Sequence, residues 1–124
     1  MEVKTYKDLI VWQKSMCLVD MVYDMFSLMP NEEKYSLCDQ MRRSAVSIPS
    51  NIAEGWARAT TKEYLNFLSI ANGSYCELET QLQICKRNKL APDEKVTEAL
   101  SLADEVGKML ASMIRKLGSG RGDN

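Results

Sequence analysis

The sequence predicts an all-α protein: an antiparallel up-down-up-down four-helix bundle. Three observations predict it. Apolar residues recur at alternating three- and four-residue steps through four long segments. No segment alternates apolar with polar residues as a half-buried strand would. The connections between the four segments are short and carry capping residues or proline, which makes consecutive helices antiparallel neighbours.

The first helix is expected over residues 6–28, with Thr5 as N-cap and Asp8 answering the exposed amides three residues on. Leu9, Trp12, Met16, Val19, Tyr23 and Phe26 define its helical face. Much of the rest is apolar too, 15 of the 21 residues from Leu9 to Met29. Only Gln13, Asp20, Asp24 and Ser27 share a narrow polar strip when plotted at about 100° per residue. That is more apolar surface than one bundle buries.

Pro30 breaks the chain, and Asn31, Glu32 and Glu33 open the second helix with the acidic first turn that the helix dipole favours. Leu37, Met41, Ala45, Ile48 and Ile52 form its inner face. Pro49 lies within that pattern and predicts a kink, with Ser47, Ser50 and Asn51 available to the freed backbone groups. Gly55 and the residues just after it are expected to end the helix. Thr60 to Glu63 matches a capping box and opens the third helix. Its apolar period runs Tyr64, Phe67, Leu68, Ala71, Tyr75, Leu78, Leu82 and Cys85, and it ends at Asn88. The mid-helix pair Gly73 and Ser74 predicts close approach of another backbone. Pro92 takes the first-turn slot of the fourth helix, whose stripe is Val96, Leu100, Ala103, Val106, Leu110, Met113, Ile114 and Leu117. Residues 1–117 thus form one domain, and residues 118–124, rich in glycine, are expected to be a flexible tail.

Composition narrows the function. A chain of 124 residues has room for one core, and 45% hydrophobic content places it among globular proteins. A net charge of −1 provides no general basic field for nucleic acid, so any such contact needs a local patch. Residues 1–8 lack the apolar core of a signal peptide, and charges interrupt the longest apolar region, so a cytoplasmic location without membrane contact is expected. The four cysteines, Cys17, Cys38, Cys76 and Cys85, have no paired spacing and read as buried reduced thiols.

The chain contains no histidine. This removes Ser-His and Cys-His nucleophile pairs and the Glu-x-x-His motifs of di-iron bundles. Asp39, Glu54, Glu63, Glu77 and Glu79 read as solvated helix surface rather than as acids or bases. No catalytic residue, metal, cofactor or small-molecule substrate is expected. Asn72-Gly73-Ser74 matches a glycosylation sequon and Arg121-Gly122-Asp123 an integrin-binding tripeptide, and both read as chance. The cations that could form a patch are Arg42, Arg43, Arg58 and Lys62; Lys86, Arg87 and Lys89 suit the end of a helix.

Two blocks carry a resemblance to a known family. Residues 8–14, Asp-Leu-Ile-Val-Trp-Gln-Lys, and residues 40–55, from Gln40 through the arginine pair to Glu54 and Gly55, resemble the 23S rRNA-intervening sequence proteins, also called four helix bundle proteins. Residues 67–74 and 77–82 continue the likeness. The resemblance implies a bacterial, cytosolic, non-enzymatic bundle assembled into a ring of five subunits. It also implies kinship with accessory proteins of diversity-generating retroelements, which bind nucleic acid through basic surfaces; this chain departs from them in being mildly acidic.

The expectation is therefore a homo-oligomer that contacts RNA or DNA through Arg42, Arg43, Arg58 and Lys62. The alternative is a protein-interaction scaffold with no nucleic-acid role. The surplus apolar surface, the polar patch around Pro49 and the glycine of the third helix mark Trp12, Leu18, Met25, Ser47, Ser50, Asn51 and Gly73 as candidate subunit contacts.

Overall fold

The computed structural model describes residues 2–122. Four helices make up the fold: α1 (Ile10–Phe26), α2 (Leu37–Trp56), α3 (Thr61–Arg87) and α4 (Asp93–Gly122). They close a ring of neighbours, α1 on α2, α2 on α3, α3 on α4 and α4 on α1. Among the described residues there is no strand.

The capping expectation at the N-terminus holds, but on a smaller element. Thr5 Oγ1 accepts from the Lys7 amide at 3.1 Å, and Asp8 Oδ2 accepts from the Lys4 and Thr5 amides at 2.8 and 3.0 Å. These bonds close a 3-10 turn over Tyr6–Asp8, after which Leu9 is extended and α1 begins. The Thr5 amide, then that of Lys4, holds the Asp8 carboxyl below its ordinary value.

The inward face of α1 corrects the sequence reading. Val11, Ser15, Leu18, Val22 and Met25 are buried, whereas Met16 and Tyr23 are exposed and Leu9, Trp12, Val19 and Phe26 lie half-buried at the flank. Both sets obey the helical period. A helix that is apolar nearly all round does not by itself specify which stripe turns inward, and packing between α2 and α4 selects the more compact one. Ser15 hid that stripe: it is fully buried, its hydroxyl donating to the Trp12 carbonyl at 2.8 Å.

Asn31–Glu33 form a separate 3-10 turn rather than the start of α2, which opens at Leu37. The expected inner residues Met41, Ala45, Ile48 and Ile52 are fully buried, and α2 continues through Pro49. The helix ends at Trp56, just after Gly55, as expected. Gly55 is buried in the last turn, where a Cβ would lie 2.7 Å from Phe67 Cβ and 3.0 Å from Tyr64 Cδ1, so its lack of a side chain lets α3 approach.

Thr60 caps α3 as expected, accepting from the Glu63 amide at 3.2 Å. At its far end the Leu90 amide donates to the Cys85 carbonyl at 3.0 Å and that of Lys89 to Lys86 at 3.4 Å, with Lys89 at φ 54°. This is a Schellman closure with lysine where glycine is usual. The Pro92 carbonyl then accepts from Lys95 and Val96, and α4 starts one residue later than expected. Another correction falls at its end. The helix passes Leu117 and runs through Gly118 to Gly122, so the tail expected from residue 118 is helical that far; residues 123–124 lie outside the described residues.

Contacts between α2 and α3 pair in opposite order along the chain. Met41 meets Cys85, Ser44 meets Gln81, Ser47 meets Ser74, and Gly55 meets Tyr64 and Phe67. The two helices are antiparallel. The same holds for α3 and α4, where Lys86 bonds Asp93 and Thr97 while Tyr75 lies against Gly107. A Cβ on Gly107 would clash with the Tyr75 ring, so it is Gly107 of α4, not Gly73, that admits a close neighbour, Tyr75 of α3. Gly73 faces open space, and its partner in the sequence pair, Ser74, spends its hydroxyl on Ser47 at 2.7 Å.

Candidate functional surfaces

The cation candidates separate into two groups. Arg42 and Arg43 lie in the second turn of α2, and both guanidiniums bond one carboxylate, Asp39, at 2.6 and 2.7 Å. Arg42 also lies over the Phe26 ring, 5.4 Å from its centroid. Arg58 follows the other end of the helix, paired with Glu54 at 3.2 Å and stacked 4.7 Å from the Phe67 ring centroid. Lys62 is exposed in the first turn of α3. From Arg42 to Trp56 the helix rises about 21 Å, so within one chain the structure does not gather these four residues into one patch. Asp39 serves two arginines, which leaves that cluster with a net positive charge.

Two further carboxylates are held by neighbouring hydroxyls. Glu63 accepts from the Thr60 hydroxyl at 3.0 Å, and Glu79 accepts from the Tyr75 hydroxyl at 3.1 Å. Among the described residues no three His, Cys, Asp or Glu side chains group to hold a metal, and no helix is long and apolar enough to cross a membrane. The expectation of four buried thiols is half corrected: Cys38 and Cys85 are buried, but Cys17 and Cys76 are exposed, and all four are free. Cys17 lies one residue from core Leu18, and that step of about 100° carries it off the buried stripe.

The candidate subunit contacts divide four ways. Leu18 and Met25 are withdrawn, because both are spent in the chain's own core with 0% and 1% exposure. Ser47 and Asn51 lie on the flank of α2 that meets α3, where Asn51 Nδ2 donates to the Ser47 carbonyl and hydroxyl at 2.8 and 2.9 Å. Gly73 is exposed on α3. Trp12 and Ser50 remain together, on the walls of an open groove of about 360 Å³ between α1 and α2.

That groove gathers part of the exposed apolar surplus of α1. Trp12, Met16 and Val19 form the α1 wall, and Val46, Pro49, Ser50 and Ala53 the α2 wall. Tyr6 closes one end, its ring edge-on to Trp12 at 5.4 Å. Met16 and Val46 are 38% and 39% exposed, and exposed Tyr23 extends the apolar α1 wall beyond Val19. Reading α2 by the face of Leu37, Met41, Ala45, Ile48 and Ile52 misses Val46, Pro49 and Ala53. Their own three- and four-residue spacing was the available signal of a second stripe.

Fold and surfaces together define a class: an all-α four-helix bundle with an open apolar groove and paired surface charges. The chain belongs to the 23S rRNA-intervening sequence protein family, which matches over residues 7–112. It is also similar to the crystal structure of a protein of unknown function from the S23 ribosomal protein family of Bacteroides thetaiotaomicron VPI-5482. That likeness has a TM-score of 0.78 at 26% identity and covers 85% of this chain and 98% of the other. Among proteins with curated descriptions, none matches.

Proposed function

We propose that this protein is a non-enzymatic assembly module that works in the cytoplasm as a homo-oligomer, a ring of five subunits joined through the α1–α2 groove. The observation that carries this reading is the groove itself. Trp12, Met16, Val19 and Val46 present apolar surface to water around the groove floored by buried Pro49, and contiguous apolar patches on a small protein mark contact surfaces. Closed rings need two different patches that fit each other, and exposed Ile70 and Ile84 on α3 offer a second apolar face. Four free thiols suit a reducing cytoplasm. Light scattering at micromolar concentration tests the assembly. The expected mass is five times 14.1 kDa; a mass of one chain refutes self-association, and another multiple refutes the ring of five.

A second reading adds nucleic acid as a partner of the assembled ring. The sharing of Asp39 by Arg42 and Arg43 supports it, since Arg43 keeps 77% of its side chain exposed on a cluster of net positive charge. Repetition around a ring brings together copies of Arg42, Arg43, Arg58 and Lys62 that one chain holds apart. Binding of an RNA or DNA oligonucleotide across a salt series decides this: phosphate contact gives an affinity that falls linearly on logarithmic axes as salt rises. No binding at low salt removes the nucleic-acid role and leaves a scaffold for proteins, which co-purification from the native host recovers.

A further inference from the structure

One cavity differs from the α1–α2 groove in its chemistry. It lies where α1 ends, the connection turns and α2 begins, and it holds about 240 Å³. Phe26, Met29 and Cys38 give it apolar surface. Ser27, Asn31, Lys34 and Arg42 add a hydroxyl, an amide and two cations. Among the described residues no carboxylate lines it. Arg42 is fixed in place: its Nη1 donates to Asp39 at 2.6 Å, and its guanidinium lies 5.4 Å from the Phe26 ring centroid. A guanidinium has five N–H donors, so the bond to Asp39 leaves others for a second acceptor. Asp39 also serves Arg43 at 2.7 Å, so it does not cancel the charge of the cluster. Lys34 is exposed, its Nζ resting 5.7 Å from the centroid of the Tyr35 ring, itself exposed. Such a contact in water is weak, and an anion can replace it.

The donor set selects the ligand. Two cations with an amide and a hydroxyl suit a phosphomonoester, which carries a charge of about −1.5 to −2 and three acceptor oxygens, better than a carboxylate with a single charge. The volume is more than a bare phosphate fills, and it falls short of the about 300–1,000 Å³ of a drug-sized site. The geometry points to a site for the 5′-phosphate of a nucleotide, with Arg42 and Lys34 on the phosphate oxygens and the apolar surface against the carbon skeleton attached to it. Such a phosphate belongs to a free nucleotide or to the end of a nucleic-acid strand. An internal phosphodiester has a single charge and chain on both sides, so it suits the cavity less well. The site lies within one chain and stands apart from the ring and from contact with a nucleic-acid backbone.

The test is isothermal titration calorimetry of the full chain at low salt, with uridine 5′-monophosphate and uridine as probes. The monophosphate is expected to bind once per chain, and uridine not at all. Lys34→Gln and Arg42→Gln are each expected to weaken it about tenfold or more, with helical content unchanged by circular dichroism. Lys95→Gln removes an exposed cation outside the cavity and is expected to change affinity less than about twofold. Short RNA oligomers ending in a 5′-phosphate or a 5′-hydroxyl identify the source. Preference for the phosphorylated end assigns the site to a strand terminus, exclusion of both oligomers assigns it to a free nucleotide, and either supports it. No binding of the monophosphate, equal binding of uridine, or a loss in Lys95→Gln as large as in Arg42→Gln overturns the site. So does an oligomer bound equally with either end by the unaltered and Lys34→Gln chains, a result that leaves backbone contact standing.

Discussion

At the scale of single residues, the glycines separate positions that look alike in the sequence. Gly55 and Gly73 both sit inside helices, yet a Cβ at the first meets Phe67 Cβ and at the second meets nothing. Gly55→Ala is therefore expected to cost about 1–3 kcal/mol through overpacking, despite the better helix propensity of alanine. Gly73→Ala is expected to gain about 0.5–1 kcal/mol, and urea unfolding of the two variants measures both. Tyr75 supplies a pH effect. Burial, then the Glu79 carboxylate, raises its phenol from the ordinary 10.0 to about 12. The folded chain thus holds this proton more tightly than the unfolded one. The associated stability is complete below pH 10, and it is lost as pH rises toward 12. Tyr75→Phe removes this slope, and denaturation midpoints across pH 9 to about 12 display the difference.

At the scale of elements, α2 and α3 are held in register by polar groups inside an apolar seam. Ser44 donates to Gln81 Oε1 at 2.6 Å with both residues buried, and Ser47 and Ser74 form a second bond farther along. A slip of one turn would leave these groups unpaired in the core, and an unpaired buried polar group costs more than its bond contributes. Ser44→Ala is expected to lose about 1–3 kcal/mol by stranding the Gln81 amide oxygen. The double variant with Gln81→Met is expected to lose less than the sum of the singles, because neither partner remains to be stranded. A double-mutant cycle in chemical denaturation checks this coupling.

At the scale of the whole molecule, the apolar surface of α1 is divided between two uses. Its compact stripe closes the core, and the flank bearing Trp12, Met16 and Val19 opens onto the groove. Met16→Asp combined with Val46→Asp is expected to reduce the solution mass to that of one chain while helical content is kept, since both side chains are exposed. Light scattering and circular dichroism together check it; loss of helix with loss of assembly would mean that the two residues serve the fold instead. Arg43→Ala offers a complementary variant, because its side chain lies away from the groove walls. It leaves the mass unchanged and weakens oligonucleotide binding on the second reading.

The sequence by itself determined the all-α class, the number of helices, the caps at Thr5 and Thr60, and most core positions of α2, α3 and α4. These are local properties: period, capping chemistry and proline placement act within a turn or two. Family resemblance was also legible there, in the arginine pair through Glu54 and Gly55, and the match over residues 7–112 bears it out. Only tertiary structure decided which stripe of α1 faces inward, because a nearly all-round apolar helix satisfies the period with more than one face. It likewise assigned Gly55 and Gly107 to close helix approach, exposed two of the four thiols, and carried α4 past residue 117. Pairing across helices is what the linear sequence leaves open: Ser44 on Gln81, and Ser47 on Ser74. Each depends on which faces meet once the bundle closes.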